Sequence, residues 1–398
     1  VAYQESPRVC QPEVNWSLST GKPLAWQFGD EPITDFNWVR SDAALADMAA
    51  GLAGQRLALD TEFTRRSTYY AQRALVQVRA GDHRFLVDPL QVTNWSPMMS
   101  LFEDSSAKLL HAPLEDFEVF RTYLNTLPQP FVDTQLAAAF AGLGDSLSYA
   151  ALVKELFGVE LAKSQTQSDW MKRPLSDAQV GYALDDVEWL DEAWHRLQDM
   201  LGQQGRLDWF QQACHSIVQG MRDEPDTANA WQRIKGLDRL APEQRGVAAA
   251  LAVWREGYAR RKDKPRNWIL RDAAILELAR KQPAGQNDLA RAGIEPPSLR
   301  RHGNAILDAA EAAWAEPLEL PATAATLTGE QRNRVKQLRQ QVDAMAEQMT
   351  ISARLIASRN ELEQLVQWQD GMQGARAPAL LNDWRSASIA PQLTGEVQ

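Results

Sequence analysis

The sequence predicts an α/β fold, a mixed sheet flanked by helices, followed by two all-α helical domains. Three observations carry this reading. Strand-like apolar runs follow one another as a meander within residues 56–88, and helix and strand then alternate. Beyond residue 228 the text is helical, broken only by short Gly- or Pro-containing stretches. Two linker-like runs, Gly220 to Ala228 and Pro317 to Pro321, divide the chain.

Residues 1–30 mix Pro, Gly and Trp without periodicity and read as an N-terminal extension. A short helix, Ala43 to Leu52, leads into a strand at 56–63. Arg73 to Ala80 and Arg84 to Asp88 follow as strands, joined through Gly81-Asp82. Asn94 to Glu103 reads as a helix, Ala107 to His111 as a buried strand, and helices dominate to about Gly202. In the last of these, Val180, Ala183, Val187, Leu190, Trp194, Leu197 and Leu201 mark a face that packs on the sheet. Trp231 to Trp314 is helical with breaks at Lys235-Gly236, Lys264-Pro265 and Gln282-Pro283, and Gly329 to Gln369 is helical again. The expected domains are 31–204, 226–315 and 320–398.

Of the 398 residues, 44% are hydrophobic and 24% charged, ordinary for a soluble globular chain. No run is long enough to span a bilayer, and Val1 to Gln11 lacks the basic and apolar regions of a signal peptide. Cys10 and Cys214, far apart, define neither a disulfide framework nor a zinc site, so a reducing cytoplasm is expected. The net charge of −10 hides an asymmetry: residues 1–204 carry 16 basic and 28 acidic side chains, residues 228–315 carry 16 and 10. That pattern suits a metal site in the first part and polyanion binding in the second; ordinary surface variation would also give it.

The most informative run is Leu57-Ala58-Leu59-Asp60-Thr61-Glu62-Phe63. Strand alternation sends Leu57, Leu59, Thr61 and Phe63 one way and Ala58, Asp60 and Glu62 the other. Two neighbouring carboxylates on an apolar strand resist desolvation unless a cation joins them. The pair reads as half a metal site or as a solvated strand face. Asp116 follows a strand and Pro113, in the first turn of a helix, where any acid is favoured by the helix N-terminus. Glu115 and Glu118 fit that structural role better. Tyr182 and Asp186, four apart, stack on one side of a later helix, facing a cleft or forming a surface pair. Asp185 points away and is expected to be solvated.

Asp-x-Glu on a strand, a later Asp after a strand-to-helix turn, and Tyr-x-x-x-Asp on a following helix resemble the three exonuclease motifs of the DEDD superfamily, in its DEDDy branch. Asp60-Thr61-Glu62-Phe63, Thr68-Tyr69-Tyr70, Leu75-Val76-Gln77-Val78, Phe131-Val132-Asp133-Thr134-Gln135 and Ser168-Asp169-Trp170-Met171-Lys172-Arg173-Pro174-Leu175 resemble the ribonuclease D family. The resemblance covers roughly residues 35–200. Residues 228–315 resemble an HRDC domain, a helical nucleic-acid-binding module, and 320–398 a more diverged second one. Leu184-Asp185, where small residues are more usual, departs from the pattern without removing a motif residue.

The resemblance implies a ribonuclease-H-like sheet and metal-dependent 3′→5′ exoribonuclease activity, with two divalent ions, Mg²⁺ or Mn²⁺. It implies that Asp60 bridges both, Glu62 and Asp186 complete the ion on the water side, Asp116 supports the other largely through water, and Tyr182 orients the attacking water. A phenol of pKa about 10 is a poor general base at neutral pH. The implied substrates are tRNA precursors and other structured RNAs, trimmed to nucleoside 5′-monophosphates, and a monomer is expected. A DNA exonuclease with the same site, or an inactive nucleic-acid-binding module, are the alternatives.

Phe63, Tyr69 and Tyr70 stack on terminal bases or pack internally. Gln77 reads as a satisfied polar residue of the sheet, Asp133 as a helix cap, and His111 as hydrogen-bonded at a strand end. Trp170 and Arg173 line the substrate path or form a buried stacked pair. Arg255, Arg260, Arg261, Lys262, Lys264, Arg266 and Arg271, with Tyr258 and Trp268 among them, form a candidate phosphate-contacting surface or an Arg-rich helix end.

Overall fold

Eight residues, Leu57–Thr64, form the strand on which the α/β domain is built, although Ala58, Asp60 and Glu62 are of low strand propensity; the buried apolar positions Leu57 and Leu59 hold it in the sheet. In chain order the strands are β1 (Asn37–Val39), β2 (Leu57–Thr64), β3 (Gln72–Ala80), β4 (His83–Val87), β5 (Lys108–Leu110) and β6 (Phe131–Asp133). They make one sheet in the order β1-β4-β3-β2-β5-β6. β2, β3 and β4 are the expected antiparallel meander; β1 joins β4, and β5 and β6 extend β2, in parallel. The computed structural model describes residues 35–161, 165, 168–222, 225–320 and 327–395, so the expected extension at 1–30 lies outside the described residues.

The sheet is flanked by α1 (Asp42–Leu52), α2 (Ser96–Glu103), α3 (Leu114–Leu124), α4 (Thr134–Ala141), α5 (Tyr149–Phe157), α6 (Asp177–Glu188), α7 (Leu190–Gln203) and α8 (Leu207–Met221). Leu57, Ala58 and Leu59 are all buried, because β2 is central and packed over on both faces. A small apolar cluster, including Ala74, Leu75, Leu86, Trp170, Ala183 and Leu184, joins α6 to the sheet.

Two strands escaped the sequence reading. β1 and β6 have three residues each and form the sheet edges. The long apolar stripe also proves to be two helices, α6 and α7, parted at Trp189. There the Trp189 N–H donates to Tyr149 Oη at 2.9 Å, and Arg79 Nη1 donates to the Glu188 carbonyl at 2.5 Å. Backbone groups so diverted to side chains mark the break in the helix.

The next helices are α9 (Pro242–Lys262), α10 (Arg266–Ile269), α11 (Asp272–Arg280), α12 (Gln286–Arg291) and α13 (Pro296–Ala315). They close around their own core, with Leu251, Ile269, Ile275, Leu289 and Ile306 inaccessible. The last are α14 (Gly329–Met349), α15 (Ala353–Ile356), α16 (Arg359–Gln369) and α17 (Ala390–Thr394). The helix expected across 329–369 stops at Thr350, which is left-handed at φ 52°. No helix among the described residues is long and apolar enough to cross a membrane.

Among the described residues, this last helical region has no core of its own. Its apolar residues continue the core of the α/β domain, with Trp384 against Phe140 at 5.0 Å and Trp209 at 5.2 Å between ring centroids. Arg206 donates to the Met349 carbonyl across the same boundary. α8, from the stretch left between the expected first two domains, contributes Phe210, Cys214 and Val218 to that shared core. Trp384→Ala is therefore expected to cost about 3–5 kcal/mol and to lower the melting of the α/β domain itself, followed by calorimetry. Loss confined to a separate C-terminal transition would contradict the shared core.

Candidate active site

β2 delivers Asp60 and Glu62 to the acid cluster, and α6 delivers Asp186. One carboxylate oxygen from each of the three lies within 4.8 Å of the others. Asp116, in the first turn of α3, acts electrostatically on all three but is not in that group of mutually close oxygens. Its carboxylate accepts a short hydrogen bond from Thr61 Oγ1. Thr61, read from alternation as lying on the other face, thus belongs to the site. Tyr182 is hydrogen-bonded to Asp186, and its ring lies 6.1 Å from that of buried Trp170.

Local structure fixes each acid. Asp60 sits opposite Gln77 of β3, whose Nε2 donates to Asp60 Oδ2 at 3.4 Å. Gln77 is fully buried and its Oε1 has no partner, so it is only half satisfied, against the sequence expectation. Asp116 is positioned through Ala112, which turns the chain with φ 53° and donates its N–H to Asp133 Oδ1 at 3.0 Å. The same oxygen caps α4, accepting from Gln135 and Leu136, as the sequence indicated. His111 bridges Thr134 Oγ1 and the Leu147 carbonyl, each at 2.9 Å, a strand-end role as expected. Asp186 depends on the Tyr149 and Arg79 contacts at the α6–α7 break; Arg79 also pairs with Glu192 at 2.9 Å.

Arg173 binds Asp88 through two contacts of 2.8 Å and the Ala74 carbonyl, so it fastens the loop before α6 to the sheet. Glu118 pairs with Arg65 at 2.5 Å. Asp185 is half-buried rather than solvated, its carboxyl raised to about 6 by burial and then by Glu188. Arg255, Arg260, Lys264, Arg266 and Arg271, five members of the candidate phosphate surface, bond to protein partners; Arg261 and Lys262 remain exposed.

The acids sit in an environment that opposes their own charge. Burial, then Asp186 and Asp116, push Glu62 up to about 8. Asp186 rises to about 7 through burial first, with Asp185 and Asp116 adding and the Tyr182 hydrogen bond opposing. Asp116 rises to about 6, again mainly by burial, and Asp60 is raised well above the usual carboxylate range by burial and its three acidic neighbours. An all-oxygen set of crowded carboxylates fits a hard divalent cation, which would supply the missing countercharge.

A central strand that brings paired acids against acids from two helices, on a mixed sheet with helical domains behind it, defines an exonuclease of the acid-cluster class. Residues 36–202 match the family model for a 3′-5′ exonuclease, 244–309 that for the HRDC domain, and 330–393 that for the ribonuclease D C-terminal HRDC domain. The chain is 36% identical over 374 residues to ribonuclease D of Pseudomonas paraeruginosa, covering 92% of this chain and 98% of the relative. Ribonuclease D of Escherichia coli is 33% identical over 370 residues, covering 92% and 99%. A crystal structure of Escherichia coli RNase D superposes with a TM-score of 0.84 at 32% identity, covering 91% of this chain and 98% of that one. The chain belongs to the ribonuclease D family, and it is a 3′→5′ exoribonuclease.

The raised carboxyls give a signed pH dependence. Folded-state values above the unfolded ones contribute stability that is complete below about pH 4 and is lost as pH rises through about 8. In metal-free protein, Tm should thus fall less between pH 5 and pH 8 in Glu62→Gln than in wild type, by on the order of a few degrees. Mg²⁺ should raise wild-type Tm more at pH 8 than at pH 5, since it competes with protons. Parallel melting curves for the two proteins would contradict the electrostatic reading.

Proposed function

We propose that Asp60, Glu62, Asp116, Tyr182 and Asp186 form a two-metal site that releases nucleoside 5′-monophosphates from RNA 3′ ends. The convergence of Asp60, Glu62 and Asp186 oxygens within 4.8 Å carries the reading. Asp60 would contact both ions, Mg²⁺ or Mn²⁺, with Glu62 and Asp186 on one and Asp116 supporting the other. When bound, such ions lower the pKa of a water for in-line attack and stabilise the leaving 3′ oxygen. The chain's own groups do the positioning. Thr61 orients Asp116, Gln77 steadies Asp60, and Tyr182, bonded to Asp186, orients the attacking water. An inactive binding module has no use for buried, mutually repelling acids that cost stability when unbound.

RNA is the proposed partner, with tRNA precursors and other structured RNAs as substrates; the Escherichia coli structure is described as an exoribonuclease involved in structured RNA processing. The proposed division is an exonuclease domain at 31–204 and HRDC-type domains at 226–315 and 320–398. Arg261 and Lys262, exposed at the end of α9, are the proposed phosphate contacts there. A monomer working in the cytoplasm is the proposed setting, in keeping with Cys214 as a free, buried thiol.

End-labelled RNA and matched DNA oligonucleotides, incubated with Mg²⁺, Mn²⁺ or chelator, test the proposal. Metal-dependent release from the 3′ end of RNA is expected; internal cuts first, or activity in chelator, would overturn it. Asp60→Asn and Asp186→Asn should abolish turnover with the fold intact. Tyr182→Phe should lower kcat by roughly 10²-fold while metal binding, followed by calorimetry, stays near wild type. Joint replacement of Arg261 and Lys262 by Ala should raise KM and flatten its salt dependence without changing kcat. An unchanged salt slope would remove these two from the RNA surface.

A further inference from the structure

The connection from β2 to β3 begins three residues after Glu62 and runs from residue 65 to 71, too long for a tight hairpin turn to fix its shape. Its conformation depends on what it touches. On one side Arg65 pairs with Glu118 of α3, two residues beyond Asp116. On the other side it is gripped by the first helical domain. Asp263, at the C-terminal end of α9, accepts the Tyr69 N–H at 2.9 Å and the Tyr70 N–H at 3.1 Å through one carboxylate oxygen. The Tyr69 ring packs against that domain's core, and its hydroxyl donates to buried Glu256 at 2.5 Å while accepting from Arg260 at 3.1 Å and Arg266 at 3.0 Å. Lys264 reaches the Ser67 carbonyl at 3.4 Å.

These contacts account for residues that the proposed RNA surface does not use. Arg260 and Arg266 neutralise Glu256 and hold the Tyr69 hydroxyl, and charge-assisted bonds of this kind are stronger than neutral ones. Asp263 has φ 46°, a left-handed conformation that Asn and Gly also adopt readily.

We propose that the first helical domain is a positioning element of the active site: Asp263 and Tyr69 fix the 65–71 loop at the border of the acid cluster, and so set where the RNA 3′ end lies. The inference rests on the acid cluster as the reacting centre. The Asp60→Asn control separates the two, since loss of that control's effect would fail the site and not the loop.

Asp263→Gly keeps the helix-end conformation and removes the acceptor; Asp263→Asn removes the same charge but keeps an acceptor oxygen. Deleting a negative charge near a polyanion would by itself tighten RNA binding. The proposal requires the opposite: KM for an RNA oligonucleotide should rise about tenfold in Asp263→Gly, as lost charge-assisted bonds allow, with Mg²⁺ affinity unchanged. Asp263→Asn should return KM to within about twofold of wild type. Tyr69→Phe, which leaves the ring in place, should raise KM several-fold. Hydrogen exchange should quicken in peptides covering 65–71 and not in those covering β4. A KM in Asp263→Gly equal to or below wild type, equal impairment in Asp263→Asn, or unchanged exchange at 65–71 would overturn the proposal.

Discussion

Repulsion among the carboxylates of Asp60, Glu62, Asp116 and Asp186 is the constraint around which the rest of the structure is organised. Like charges that are buried together raise one another's proton affinity and would drift apart on a compliant scaffold. Here two of them are carried by a central strand paired on both edges, which cannot move without breaking the sheet. The other two are carried by helices, each tied down near its acid. Asp133 holds the turn before α3, and Tyr149 with Arg79 holds the end of α6. Each tie runs from a side chain to a backbone group, Asp133 to the Ala112 N–H, Tyr149 to the Trp189 N–H and Arg79 to the Glu188 carbonyl, the kind of contact that keeps one geometry. Function is thus held in place at the expense of stability, and a countercharge recovers what the fold gives up.

The two helical domains attach by different physics. The C-terminal one merges its core with the α/β domain through Trp384, Phe140 and Phe210, a mainly aromatic boundary crossed by the Arg206 bond to the Met349 carbonyl. The preceding one keeps its own core and meets the α/β domain through carboxylates, guanidinium groups and a phenol around Tyr69. An apolar boundary confers stability without direction, whereas a polar one fixes orientation through individual bonds. That difference matches the places each reaches: the sheet's far helices in one case, the border of the acids in the other.

Much of the fold was legible because its signals are local. Strand runs at β2, β3 and β4, the helix stripes, and Asp133 as a cap all follow from short-range pattern. β1 and β6 were not legible, since their place at the sheet edges is set by pairing with β4 and β5, neighbours remote in sequence. The break at Trp189 was hidden because the apolar stripe continues through it; the cause, Tyr149, lies 40 residues earlier. Thr61 was assigned away from the acids because alternation gives the face of a strand and not the reach of a helix laid across its end.

The sequence by itself determined the chemistry: which acids are available, their order on strand and helices, and the oxygen-rich set they make. These are properties of residue type and spacing, and they led to the family. Tertiary structure alone decided which groups meet. The proximity of Asp186 to Asp60, the commitment of Arg260 and Arg266 to Glu256 and Tyr69 in place of an open surface, and the fusion of the C-terminal core with the sheet all depend on long-range packing. A basic run in sequence fixes charge but not exposure, because a guanidinium is drawn to any carboxylate that folding buries beside it.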